Sequence, residues 1–233
     1  MTLYTSLNFG DLASIAMLDN RQYRSDHACQ GPERFGGQLI TDCAERDDPV
    51  RTMLGPLQER WLLGHLARTR AKWKVIGQQT LMAPVDQKPG EGSSHWSDGW
   101  DGYPAARQRI LSHIASRNIS DVVAVGGDIH SFCAADLKAD FSDAKAAPIA
   151  TEFVTTSVSS ASGLSKAQVE TYKPENPHIK FFDSQERGYA LATVTPGEWR
   201  TEFRAVSTVT EPVATARTLQ SFAVEAGKPG VQS

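Results

Sequence analysis

The chain has 233 residues, 40% of them hydrophobic and 22% charged, which is enough material for one sizeable core. Lys and Arg number 24 against 27 Asp and Glu, so the formal charge is −3, and no global positive field exists to hold nucleic acid or an anionic membrane surface. Any phosphate binding must therefore be local. Leu12 to Leu18 and Val122 to Val125, the longest apolar runs, fall far short of the roughly 18 residues of a membrane span. Met1 to Gly10 has no basic cluster before an apolar core and is not a secretory signal, which read alone points to the cytoplasm. The three cysteines, Cys29, Cys43 and Cys133, are odd in number and lack CxxC spacing; this argues against a disulfide framework and a structural zinc site and favours free thiols.

In chain order, Leu12 to Leu18 is a short apolar run that suits a buried strand. Gln30 to Asp48 is rich in Gly, Arg, Asp and Glu without periodicity and is expected to be a long excursion loop. Pro56 then opens a helix after Gly55, with Leu57, Trp61, Leu62 and Leu66 along one apolar stripe, and Trp73 to Met82 is the next strand. After an irregular stretch from Pro84 to Gly102, Pro104 starts a second helix with Ile110, Leu111 and Ile114 inward, and Val122 to Val125 is a strand ended by Gly126-Gly127. This alternation is that of an α/β layered core. Glu152 to Ser157, Ile179 to Phe182, Gly188 to Val194 and Trp199 to Val206 are expected to form a mostly antiparallel closing sheet. Residues 207–233 are weakly periodic and are expected to be a loosely held tail behind a domain spanning residues 1–206.

The sharpest local signal is Gly126-Gly127-Asp128-Ile129-His130 after the apolar run. A strand ending in Asp-x-His puts a carboxylate and an imidazole at the carboxyl edge of a sheet, where open α/β folds collect ligands. Strand-end alternation would point both side chains the same way, toward one metal or a metal pair, and the donor set suits Fe, Mn, Zn or a mixed site with Ca. The competing role is an Asp that caps the turn beside a surface His. A second cluster, Ser97 to Arg107, places Asp98, Trp100, Asp101 and Tyr103 directly before the second helix. Either this loop lines a pocket in which Arg107 grips a phosphate, or Trp100 and Tyr103 plug the core while the carboxylates tie down the turn. In the third cluster, Leu18 to Arg24, Arg21 and Arg24 with Asp19 could position an anion; an Asp19 and Arg21 pair bracing the strand end is the favoured role. Ser157 has no Gly-x-Ser-x-Gly elbow around it, which argues against a serine nucleophile.

These blocks, with Phe9-Gly10-Asp11-Leu12, Trp61-Leu62, Trp73-Lys74-Val75-Ile76, Gln78-Gln79, Gly127-Asp128-Ile129-His130, Glu152 to Ser157 and Arg187-Gly188-Tyr189, resemble the PhoD-like alkaline phosphatases in order and spacing. The resemblance covers roughly residues 4 to 206. It implies the C-terminal half of a calcineurin-like αββα metallophosphoesterase sandwich that hydrolyses phosphate mono- or diesters. It implies metal ions, iron with calcium, held in part by Asp128 and His130, and a periplasmic or secreted location after twin-arginine export; the clusters themselves supply the candidate substrate-binding residues Arg21, Trp100, Asp101, Tyr103 and Arg107. The family's earlier metal-binding blocks have no counterpart before Met1, and Cys29 and Cys43 stand in the wrong part of the order to replace its Cys ligand. The expectation is a bisected site that needs a missing N-terminal half. The reading from a different class is a non-catalytic folded remnant or interaction module.

Overall fold

In the computed structural model, which describes residues 2–31 and 35–232, the apolar run after Asp11 becomes strand β2 (Ala13–Met17), paired on its outer side with β1 (Thr5–Phe9). Helix α1 (Gly55–Arg68) carries Pro56 in its first turn, which the fixed φ and missing N–H of proline suit. Leu62 and Leu66 of its expected stripe are buried, but Leu57 is 67% exposed because it falls on the outer side of the first turn. Strand β4 (Trp73–Gly77) follows and pairs parallel to β2. Helix α2 (Pro104–Ser116) buries Ile110, Leu111 and Ile114 as their spacing requires, and leads into β6 (Val122–Gly126), parallel to β4. Strand β8 (Pro148–Val154) is parallel to β6, while β7 (Phe132–Lys138) and β9 (Ile179–Asp183) continue the sheet in antiparallel fashion. The result is a seven-stranded mixed sheet in the order β1-β2-β4-β6-β8-β7-β9.

One face of that sheet is packed by α1 and α2, with Leu62, Leu66, Ile110 and Ile114 against Ile76, Ala124 and Val154. The other face meets a three-stranded antiparallel sheet of β10 (Gly188–Val194), β11 (Glu198–Val206) and β12 (Ala216–Glu225). Phe203 lies at its centre, stacked on Phe132 at 4.7 Å and close to Phe153, Phe181 and Phe222. Among the described residues the layers thus run helix, sheet, sheet. The expected closing sheet is divided: Glu152 belongs to the parallel core through β8, and only β10 and β11 join β12 outside it.

Two expectations are overturned. The stretch taken for a loose tail supplies β12, whose Phe222 and Val224 are buried in the core between the sheets, because alternate residues there face inward at strand period. Its final turn is stitched to the main sheet, with Gly227 N donating to Asp121 Oδ1, Gly230 N to Thr151 Oγ1 and Val231 N to Asp136 Oδ1. Cys29 and Cys43 are not free thiols but a disulfide across 14 residues, while Cys133 is buried and unpaired in β7. Counting cysteines tests parity and cannot say which two meet. Positive φ at Cys29 and at Asp42 folds the excursion back on itself and brings the pair together. That excursion is partly ordered, with β3 (Leu39–Thr41) paired to β5 (Ser94–Trp96) and a short 3-10 turn at Ala44–Asp47; residues 32–34 lie outside the described residues. Helix α3 (Lys166–Tyr172), capped by Ser165 and Gln168, was not anticipated. Among the described residues no helix is long and apolar enough to cross a membrane.

Candidate active site

Because β2, β4, β6 and β8 are mutually parallel, their carboxyl ends share one edge, and each hands the chain to a polar segment there: Asp19 to Arg21, Gln78 to Thr80, Asp128 to His130, and Thr155 to Ser157. The first of the two glycines at the end of β6 has a steric reason. A Cβ on Gly126 would stand 2.1 Å from the Thr80 carbonyl oxygen, so only glycine lets these two loops approach. The chain then turns, with Ile129 N donating to Gly127 O at 2.8 Å, and Asp128 and His130 adopt φ of +70° and +53°. Strand alternation therefore does not orient them, contrary to the sequence argument; a strained turn does, of the kind found where function over-determines backbone.

Asp128 Oδ1 accepts from Arg21 Nη2 at 3.1 Å, and Arg21 Nη1 donates to Asp98 Oδ2 at 2.7 Å. Arg24 Nη1 lies 3.0 Å from Asp98 Oδ1, and His27 Nε2 lies 3.1 Å from the same oxygen, without hydrogen-bond alignment. Burial pushes the Asp98 carboxyl upward, but the Arg21 hydrogen bond and the charges of Arg21 and Arg24 outweigh it and hold the carboxyl below the ordinary range. Asp98 is thus an anionic hub that aims Arg21 along the rim toward Asp128. His130 Nδ1 lies 3.0 Å from the Ala161 carbonyl, which fixes the ring. The expected Asp19 and Arg21 pair is absent: Asp19 Oδ1 accepts from the backbone N of Arg21 and Gln22, which frees the guanidinium for the rim.

The remaining members of the second cluster are drawn inward. Trp100 and Tyr103 are fully buried, with Trp100 Nε1 donating to Gln78 Oε1 and Tyr103 OH to Ser25 O. Arg107 is 6% exposed; its Nη1 donates to Asp101 Oδ1 at 2.7 Å and to Met82 O at 3.2 Å. Asp101 also accepts from Val85 N at 2.8 Å. Burial alone would raise the Asp101 carboxyl, yet the charge of Arg107 and the neighbouring His95 hold it well below the carboxylate range. Of Arg21, Trp100, Asp101, Tyr103 and Arg107, then, the structure brings only Arg21 to the rim beside Asp128 and His130. Replacing Arg107 by Met is expected to cost about 3 kcal/mol of unfolding free energy, because it leaves a buried carboxylate without its cation. Urea denaturation checks this, and a change within 0.5 kcal/mol of zero (about the scatter of surface substitutions) would return Arg107 to the list of substrate groups.

Beneath the rim lies a buried polar network that no local motif announces. Glu152 accepts from Met82 N and Ala83 N, each at 2.7 Å, and from Gln78 Nε2 at 3.0 Å. Gln78 Oε1 in turn accepts from Thr80 N, Trp100 Nε1 and Asn20 Nδ2. Burial pushes the Glu152 carboxyl up to about 7, against the pull of the Met82 and Ala83 amides. Asn20 Oδ1 and Thr155 Oγ1 are buried with no hydrogen-bond partner at this same edge.

Residues 1–203 match the profile of the family described as PhoD-like phosphatase. The chain belongs to that family. It is 38% identical over its whole length to alkaline phosphatase D of Bacillus subtilis (strain 168), of which it covers 39%. It also superposes on a solved structure described as that of PhoD, with a TM-score of 0.89 at 37% identity, covering all of this chain and 44% of that one. This PhoD-like chain therefore spans about two fifths of the length of these relatives.

Proposed function

We propose that this chain carries the Gly-Asp-x-His part of a phosphoester hydrolase site acting on phosphate mono- or diesters, and that polypeptide outside the region matched in the relatives completes the site. The observation that carries this reading is the placement of Asp128 and His130, both in left-handed turn conformations, at the shared carboxyl edge beside Arg21. Arg21 is the group suited to a phosphoryl oxygen: its side chain is 37% exposed, and Asp98 holds it in one orientation.

Metal ions, iron with calcium by family resemblance, would supply Lewis acidity and a bound hydroxide when present. The donors among the described residues do not complete a site for them. Among the described residues no group of three or more His, Cys, Asp or Glu is placed to hold an ion. Asp128 and His130 would contribute two donors, with the rest coming from polypeptide that the relatives carry outside the matched region. The Cys29–Cys43 disulfide supports a periplasmic or secreted location, since such bonds persist in oxidising compartments.

Assays of chromogenic phosphate mono- and diesters test the proposal. The chain alone is expected to hydrolyse neither above background and to purify with less than stoichiometric metal; joining it to the portion of the Bacillus subtilis relative that it does not match is expected to restore hydrolysis. An ordinary enzymatic rate from this chain alone would refute the divided site. A folded, complemented protein with no turnover of either ester would count against hydrolysis and favour the non-catalytic interaction module.

A further inference from the structure

An arginine left to its many rotamers gives up part of its grip on a phosphate to the cost of being ordered. For Arg21 that ordering is done beforehand by Asp98, and Asp98 is itself seated by both flanks of the excursion that follows. The leading flank supplies Arg24, whose Nη1 donates to the Asp98 carbonyl at 2.7 Å and lies 3.0 Å from Asp98 Oδ1, and His27, whose Nε2 lies 3.1 Å from the same carboxylate oxygen. The returning flank supplies Gly37 and Gln38. Gln38 N donates to Ser97 Oγ at 3.0 Å, and Ser97 N donates to Gln38 O at 2.9 Å. Gly37 approaches so closely that a Cβ on it would stand 2.6 Å from Asp98 Cβ and 2.8 Å from the Trp96 ring.

Apolar burial does little to keep those flanks together. Between Arg24 and Glu45, Ala28 and Ile40 are the only buried hydrophobic side chains among the described residues. The hydrogen bonds that cross from one flank to the other, His27 Nδ1 and Gln30 Nε2 to Gly36 O and Gln38 Nε2 to Cys29 O, are exposed, so water competes for them. A covalent link does not yield to that competition, and the Cys29–Cys43 disulfide supplies one. We infer that Gly37 and the Cys29–Cys43 disulfide are positioning elements for Arg21: they seat Asp98, and Asp98 holds the guanidinium ready for a phosphoryl oxygen. The use of that orientation rests on the proposed ester hydrolysis, while the orientation itself can be measured without it.

Two perturbations reach Asp98 by different routes. Cys29→Ser with Cys43→Ser releases the flanks from each other, whereas Gly37→Ala keeps the disulfide and displaces Asp98 or the Trp96 ring. In this chain, nitrogen-15 relaxation of the Arg21 Nε–H group, assigned by its loss in Arg21→Lys, should give an order parameter of about 0.8 in the parent and below about 0.6 in both variants. Reducing the parent's disulfide should loosen Arg21 in the same way, and reoxidation should restore it. In the protein joined to the unmatched portion of the Bacillus subtilis relative, both variants should raise KM for a chromogenic phosphate ester about tenfold and leave kcat within about twofold, since a grip lost equally from ground and transition state appears in KM alone. Leu66→Ala, a core change outside the loop, should lower the melting temperature and leave the Arg21 order parameter and KM as in the parent. The inference is overturned if Arg21 is as rigid in both variants as in the parent, if KM does not move, or if Leu66→Ala moves Arg21 and KM as far. Joined proteins that turn over no ester would count against the hydrolase reading, and the relaxation measurement would still decide the positioning.

Discussion

Asp128→Asn and His130→Ala, each introduced into the complemented protein, are expected to lower turnover of a chromogenic phosphate ester on the order of 10³-fold, equivalent to several kcal/mol of transition-state stabilisation. Each removes one of the two groups proposed as metal donors at the carboxyl edge of this chain. Neither should unfold it. The Asp128 side chain is 41% exposed, and its loss leaves Arg21 still anchored on Asp98 at 2.7 Å. Stability should therefore stay within about 0.5 kcal/mol, as for most surface positions. Equal turnover in parent and variants would remove both residues from the reaction, whatever the complemented protein did.

Glu152→Ala is expected to lower the unfolding free energy on the order of 4 kcal/mol, since it strands three buried donors, each worth about 1 to 3 kcal/mol when left unpaired. Those donors are Met82 N, Ala83 N and Gln78 Nε2. A second measurement separates the hydrogen bonds from the charge. Burial raises the carboxyl from 4.5 to about 7 on folding, so the native state prefers its protonated form. Its contribution is then fully present below pH 4.5 and is lost as the pH rises through about 7, amounting to about 3 kcal/mol in all. Glu152→Gln cannot titrate, so the stability of the parent relative to that variant should fall between pH 4.5 and about 7 and level off above. A difference that grew with pH would mean that the amide donors win and the carboxylate is held ionised.

The α/β core was legible because its signals are local. Pro56 and Pro104 mark helix starts, Ile110, Leu111 and Ile114 repeat at helical period, and Val122 to Val125 can only be buried. The position of Asp128 and His130 at a sheet edge followed from the glycines before them. What escaped was decided by partners distant in sequence. Arg21 finds Asp98 and Asp128 across 77 and 107 residues, and Glu152 finds Met82 and Ala83 across 70 and 69. The choice between pocket wall and core plug for Trp100 and Tyr103 turned on which way one loop faces, and composition is the same for both. β12 escapes because only Phe222 and Val224 of its ten residues are fully buried, too little period to register against a polar background.

The stitching of the last strand bears on when the molecule can mature. Gly227 reaches back 106 residues to Asp121, Val231 reaches 95 to Asp136, and Trp73 Nε1 closes on Thr195 O across 122. Contacts at such separations raise contact order and slow folding. The helix-packed layer can condense while the chain is still being synthesised, but the aromatic layer around Phe203 must wait for residues within about a dozen of the final serine. Until then Phe153, Phe181 and Phe203 lack the Phe222 ring that closes over them, and a nascent chain stalled or clipped near residue 206 would present that gap to the nearest chaperone or protease.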